Sequence, residues 1–156
     1  MQDRFNVETQ KWNLIEVKYR YFDCPPTQNE DAVLGVFLYE KKAQNDGTDN
    51  IFCSIGITTY SNTVTFHISE KSSTDQMNIL DLDGIVYSSS EIIDIVKKTD
   101  IYKIKQEEAD HCGYLSVTLD GNDPYWKVNY YAGNNADLLF SLDVDSITGE
   151  ILIIDN

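Results

Sequence analysis

The chain has 156 residues, of which 42% are hydrophobic and 12% aromatic. This is material for one ordinary domain with a real core, and it excludes the aromatic-poor composition of a disordered chain. Its net charge of −14, from 26 acidic against 12 basic residues, excludes the usual chemistry of binding nucleic acid or anionic membranes, both of which are held through Lys and Arg.

Strand-like alternation runs through most of the chain. From Leu14 to Tyr21, Ile15, Val17, Tyr19 and Tyr21 fall on one face, and Glu16, Lys18 and Arg20 on the other. A loop follows over Asp23–Asp31, where Pro25 and Pro26 block a continuing ladder. Ala32–Lys41 reads as a second strand, apolar on both faces and therefore central. The Asn45-Asp46-Gly47 turn signal leads to a hairpin, Ile51–Tyr60 and Thr63–Glu70, closed by Ser61-Asn62. After a polar loop, Asn78–Tyr87 reads as a short extended segment interrupted at Asp83-Gly84.

One helix is expected at about residues 89–98. Ser88 stands three residues before Glu91, the spacing of a capping box, and Ile92, Ile95 and Val96 recur at helical intervals. Asp100–His111 is compatible with more helix or with a loop. Tyr114–Leu119, Tyr125–Tyr131, Leu138–Val144 and Ile151–Ile154 then form a meander, with turns at Asp120–Pro124, Gly133–Asn135 and Asp145–Gly149. The expected fold class is α+β: a mainly antiparallel sheet with one principal helix preceding a C-terminal β-meander. The chain divides at about residue 87 into a β-rich N-terminal half (1–87) and a helix-plus-strands half (88–156), as two units or one continuous domain.

The three cysteines, Cys24, Cys53 and Cys112, are widely spaced. An odd, scattered count does not read as a disulfide framework and fits a reducing compartment; one bridge plus one free thiol is the other arrangement. Met1-Gln2-Asp3-Arg4-Phe5 lacks the apolar run of a signal peptide, and no stretch approaches the ~18 apolar residues of a membrane span. The expected location is cytoplasmic, with no membrane insertion.

The last stretch carries a family resemblance. A Ser-capped helix with Glu91, Ile92 and Ile95 is followed by the Trp-led strand Tyr125-Trp126-Lys127-Val128-Asn129-Tyr130, then by Leu142-Asp143-Val144-Asp145-Ser146-Ile147-Thr148-Gly149-Glu150-Ile151. Over about residues 88–154 this order, with its Asp-x-x-Thr-Gly-Glu hairpin, resembles the PepSY domain. The resemblance implies a small non-catalytic module that binds and restrains peptidases. The first 87 residues resemble no family.

No complete catalytic set is visible, and the chain is not expected to be an enzyme. Neither GxGxxG nor GxxxxGK occurs, so no cofactor is expected. The spacing of Asp143, Asp145 and Gly149 departs from a calcium loop and reads as a hairpin turn. His111-Cys112, with His67 as the other histidine, gives the one cysteine-hydrolase alternative. Four ligands at zinc spacing are absent. The acidic stretch Glu107, Glu108 and Asp110 is a candidate cation- or partner-binding segment, and its plainer reading is a solvated run. Ten tyrosines are present. On the Tyr125–Tyr131 strand, Trp126, Val128 and Tyr130 share one face, while Tyr125, Lys127 and Tyr131 share the other. The expected function is non-catalytic protein binding or inhibition through an acidic, Tyr-bearing sheet face, with a protein partner of basic character. An immunity protein neutralising a toxin domain is the alternative within the binding class.

Overall fold

The computed structural model describes residues 12–24, 33–41, 50–58, 64–71, 78–133 and 137–155. They form β1 (Asn13–Phe22), β2 (Val33–Lys41), β3 (Asn50–Thr58), β4 (Val64–Lys71), α1 (Ser89–Val96), α2 (Asp100–Glu108), β5 (Gly113–Asp120), β6 (Tyr125–Ala132), β7 (Leu138–Asp145) and β8 (Ile151–Asp155). The proline pair, the Asn45–Gly47 and Ser61-Asn62 turns and Asn134-Asn135 lie outside the described residues.

All eight strands belong to one antiparallel sheet, in the order β4-β3-β2-β1-β5-β6-β7-β8. Each half of the chain is a four-stranded meander, and the two meanders are joined edge to edge through β1 and β5. Their register opposes Val17 to Leu119, Tyr19 to Val117 and Tyr21 to Leu115. Strands that pair directly place opposed side chains on the same face. The apolar face of the first meander therefore runs without a break into that of the second.

This corrects the α+β expectation. The molecule is mainly β, with two short helices of 8 and 9 residues inserted after the fourth strand. The helix expected over about 89–98 ends at Val96, and a second helix occupies the segment left open. Thr99 divides them: its hydroxyl donates to the Val96 carbonyl (2.7 Å) and accepts from the Tyr102 N–H (3.3 Å), ending one helix and capping the next. At the start of α1 the capping box is present in full, with the Glu91 carboxylate accepting from both the Ser88 hydroxyl (2.7 Å) and the Ser88 N–H (2.8 Å). Those two bonds hold the Glu91 carboxyl below its usual range. The Asn78–Tyr87 segment does not join the sheet as a strand. It is tethered by backbone bonds from the Leu80 N–H to the Leu14 carbonyl and from the Val86 and Tyr87 N–H groups to the Ser146 carbonyl, and it buries the Leu80 side chain.

Both helices lie on one face of the second meander. Ile92, Ile93, Val96 and Tyr102 pack onto Val17, Leu115, Val117, Leu119, Trp126, Val128, Tyr130, Phe140, Leu142 and Val144. The sequence alternation on β5 to β7 supplies this face directly. The Trp126 indole N–H donates to the Tyr87 carbonyl (3.0 Å), which fixes the approach to α1 against the sheet.

Because one sheet contains strands from both halves, urea unfolding followed by fluorescence and by circular dichroism is expected to give one coincident transition. Two separated transitions would show that the meanders unfold independently. Leu115→Ala, at the seam, is expected to lower stability by about 2–5 kcal/mol, whereas Ile147→Ala, on an exposed turn, should change it by about 0.5 kcal/mol or less.

Candidate functional site

On β6, Trp126, Val128 and Tyr130 are buried under the helices, and Tyr125, Lys127, Asn129 and Tyr131 project half-buried from the opposite face, which is helix-free among the described residues. Tyr131 stacks on Tyr114 of β5, with centroids 5.1 Å apart and planes at 19°. Tyr114 also meets the ring of Phe22 on β1 (5.5 Å) and lies under the Arg20 guanidinium (5.7 Å). A strip of three aromatic rings and one guanidinium thus crosses three adjacent strands. Its β1 and β5 members carry no signal of their own in the sequence, because nothing local shows that β1 lies beside β5.

Lys127 sits at the other end of this face. Its ammonium lies 3.3 Å from Asp123 and 3.8 Å from Asp120, and is opposed across the strand pair by Asp143. The Asp123 contact, with the charges of Asp120 and Asp143, pushes its pKa up. Glu16, Lys18 and Arg20 on β1 continue the same face, so it carries charges of both signs. Tyr125, Lys127 and Tyr131 therefore share one face, with Lys127 and Tyr131 toward opposite ends of it. Glu107, Glu108 and Asp110 are not part of this group: they lie exposed at the end of α2, in the layer on the opposite side of the sheet. Glu108 is paired there with Lys105 (3.0 Å). Asp110 and His111 then take left-handed conformations (φ 53° and 56°) that turn the chain into β5.

Cys112 is bonded to Cys24, with Cα atoms 5.1 Å apart. A bonded sulfur offers no thiolate, so the cysteine-nucleophile arrangement is lost. His67, exposed on β4, is four strand spacings from β5 in the sheet order, roughly 19 Å. Cys53 is a free thiol whose pKa is raised by burial, the opposite of activation. Of the two arrangements open to three cysteines, the structure has one bridge plus one free thiol, which removes the basis on which a reducing compartment was expected. Among the described residues no group of three or more His, Cys, Asp or Glu gathers to hold a metal ion, and no helix is long and apolar enough to cross a membrane.

The Asp145–Gly149 stretch is a docking turn. The Asp145 carboxylate accepts from the backbone N–H of Thr148 (2.9 Å) and of Ile147 (2.7 Å), and these bonds hold its pKa down. Gly149, at φ 73°, lies against Ile95 and Tyr87, where a side chain would crowd the α1 layer.

The least expected group is Asp23. Its carboxylate, 3% exposed, accepts from the hydroxyls of Tyr102 (2.6 Å) and Tyr130 (2.7 Å) and lies 3.3 Å from the Lys97 ammonium. The Asp23 N–H donates to the Gly113 carbonyl (2.9 Å). A side chain at Gly113 would overlap the Tyr130 ring, so glycine there keeps the phenol within reach of Asp23. One residue thereby ties the end of β1 to α1, α2, β5 and β6, next to the disulfide. Burial first, then the Asp23 hydrogen bond and charge, push the pKa values of both phenols well above the ordinary value of 10.0.

Asp23→Ala leaves two buried hydroxyls and an ammonium without their acceptor, and is expected to cost about 3 kcal/mol in denaturant unfolding. Asp23→Asn is expected to retain part of this. The phenol pKa values are higher in the folded than in the unfolded chain, so their contribution is complete below about pH 10 and is lost as pH rises beyond it. Alkaline unfolding should therefore steepen above that pH, and the paired Tyr102→Phe and Tyr130→Phe changes should flatten it. A part of the tyrosinate ultraviolet absorbance that rises only together with unfolding, and that the Tyr102→Phe and Tyr130→Phe changes remove, checks the assignment.

No family model and no curated protein matches the chain. Among solved structures, the chain is similar to the crystal structure of a "putative lipoprotein" from Clostridium difficile 630, with 15% identity, a TM-score of 0.45, and coverage of 98% of this chain and 88% of that one.

Proposed function

We propose that this chain is a non-catalytic protein-binding module that engages its partner through the helix-free face of the sheet. The observation that supports this most is the strip of Phe22, Tyr114, Tyr131 and Arg20, half-buried on a face opposite the helices. Tyr and Arg are the residue types that anchor protein interfaces, since they bury much area and still offer polar contacts at their tips. Here each ring is held by its neighbour, which lowers the ordering cost of binding. Tyr125 and Lys127 extend the surface toward the Asp120–Pro124 turn. With a net charge of −14, a partner of basic character is favoured. Restraint of a peptidase, which the PepSY-like stretch implies, is one form of this activity.

The Cys24–Cys112 bond supports an oxidising compartment for this action in place of the cytoplasm. It also weighs against an immunity protein acting on a toxin inside the cytoplasm.

The test is capture of partners on immobilised protein in non-reducing buffer at low and moderate salt. Wild type is expected to retain a basic protein that the Arg20→Ala/Tyr131→Ala variant, shown folded by circular dichroism, loses. No retained partner at either salt, or equal capture by the variant, would count against this face. For the compartment, intact-mass measurement of protein from its native host, with free thiols alkylated before any reduction, should show one alkylated cysteine, Cys53. Three alkylated cysteines would return the chain to a reducing compartment. Reduction of the bridge, which spans a sequence separation of 88, should cost about 2–4 kcal/mol.

A further inference from the structure

The helix-covered face does not end where the helices end. Register pairs trace rows of side chains from the core across β2 and β3 to β4. One row runs Val117, Tyr19, Gly35, Ile57, Val64; a second runs Leu119, Val17, Phe37, Ile55, Phe66. A third runs Leu14, Tyr39, Cys53, Ile68. Along the first row exposure rises from 0% at Val117 to 41% at Ile57 and 51% at Val64, and Ile68 in the third is 50% exposed. Tyr19 bridges the two regions, with its ring 6.4 Å from Trp126 and 5.9 Å from Phe37. The result is an apolar face over β2 to β4 that is continuous with the α1–α2 interface.

We propose that this face receives a single amphipathic helix of a partner protein, net basic on its outer side, laid beside α1 and α2 as an extension of the same helical layer. Three considerations select that occupant. The chain already covers the adjoining part of this face with a helix that turns Ile92, Ile93 and Val96 inward and keeps Asp94 outward. The footprint fits: three strands span roughly 10 Å and Val64 to Ile68 roughly 13 Å, the width of one helix and the length of about two to three turns. Ile57, Val64 and Ile68, each about half exposed, offer on the order of 250 Å² of apolar surface, well short of the roughly 800 Å² per partner that a stable dimer buries. A second copy would also bring another charge of −14, whereas a basic helix meets complementary charge. This surface is on the opposite side of the sheet from the Tyr114–Tyr131 strip, so it adds a second contact to the binding module and is tested by different residues.

The experiment uses the full chain with its disulfide intact. The probe is a fluorescein-labelled 14-residue peptide with Leu at helical i, i+3, i+4 and i+7 spacing and Lys elsewhere, titrated by anisotropy at low and moderate salt. Controls are a scrambled Leu/Lys peptide and a Leu/Glu peptide. The patterned Leu/Lys peptide is expected to bind and to gain helicity in circular dichroism. Val64→Gln/Ile68→Gln should weaken it about tenfold or more, while His67→Gln, exposed on the other face of the same strand, and Arg20→Ala/Tyr131→Ala should leave it unchanged. The proposal is overturned by equal binding of the scrambled peptide, by binding that Val64→Gln/Ile68→Gln does not weaken, or by no binding at low salt. It is also overturned if the chain sediments as a dimer that Val64→Gln/Ile68→Gln converts to monomer, which would assign the face to a second copy.

Discussion

Burying a carboxyl group is costly unless its oxygens find partners, and Asp23 has collected its partners from three other elements. Lys97 comes from the end of α1, Tyr102 from α2 and Tyr130 from β6. Because all three converge on one residue at the end of β1, the helix pair is fixed over the β1–β5 seam and the second meander. The Cys24–Cys112 bond fastens the same corner covalently. The Trp126–Tyr87 bond and the Asp145–Gly149 turn secure the other end of α1. The position of the helical layer follows from these ties.

That position determines which surfaces remain available. A sheet of eight strands with a helical layer over one part of one face leaves two distinct regions. One is the reverse face, where cross-strand neighbours assemble the Phe22–Tyr114–Tyr131 strip and the Lys127 charge cluster. The other is the continuation of the apolar face across β2 to β4, where Ile57, Val64 and Ile68 are exposed. The first carries polar-tipped aromatic side chains, and the second carries aliphatic side chains continuous with the core. Both are produced by lateral strand pairing and neither depends on a catalytic group. Two of the residues that suggest reactivity are otherwise engaged: Cys112 is in a disulfide, and Asp145 closes a turn.

The amino-acid sequence by itself determined the local elements. Alternation on β5, β6 and β7 separates inward from outward residues, so the placing of Trp126, Val128 and Tyr130 against Tyr125, Lys127 and Tyr131 is legible in the order of residues alone; on β1 the irregularity between Leu14 and Glu16 breaks it, putting Leu14 and not Ile15 on the face of Val17 and Tyr19. Ser88 and Glu91 likewise mark the start of α1, since a capping box is a contact between residues three apart. What only the tertiary structure decided was every contact between distant parts: the β1–β5 seam that makes one mainly-β sheet of two halves, the Cys24–Cys112 bond, and the Asp23 hub. The physical reason is the range of the signal. Periodicity and capping are set by neighbours within a few residues, whereas Asp23 meets Tyr130 across a separation of 107, and nothing in the residues between them records that meeting.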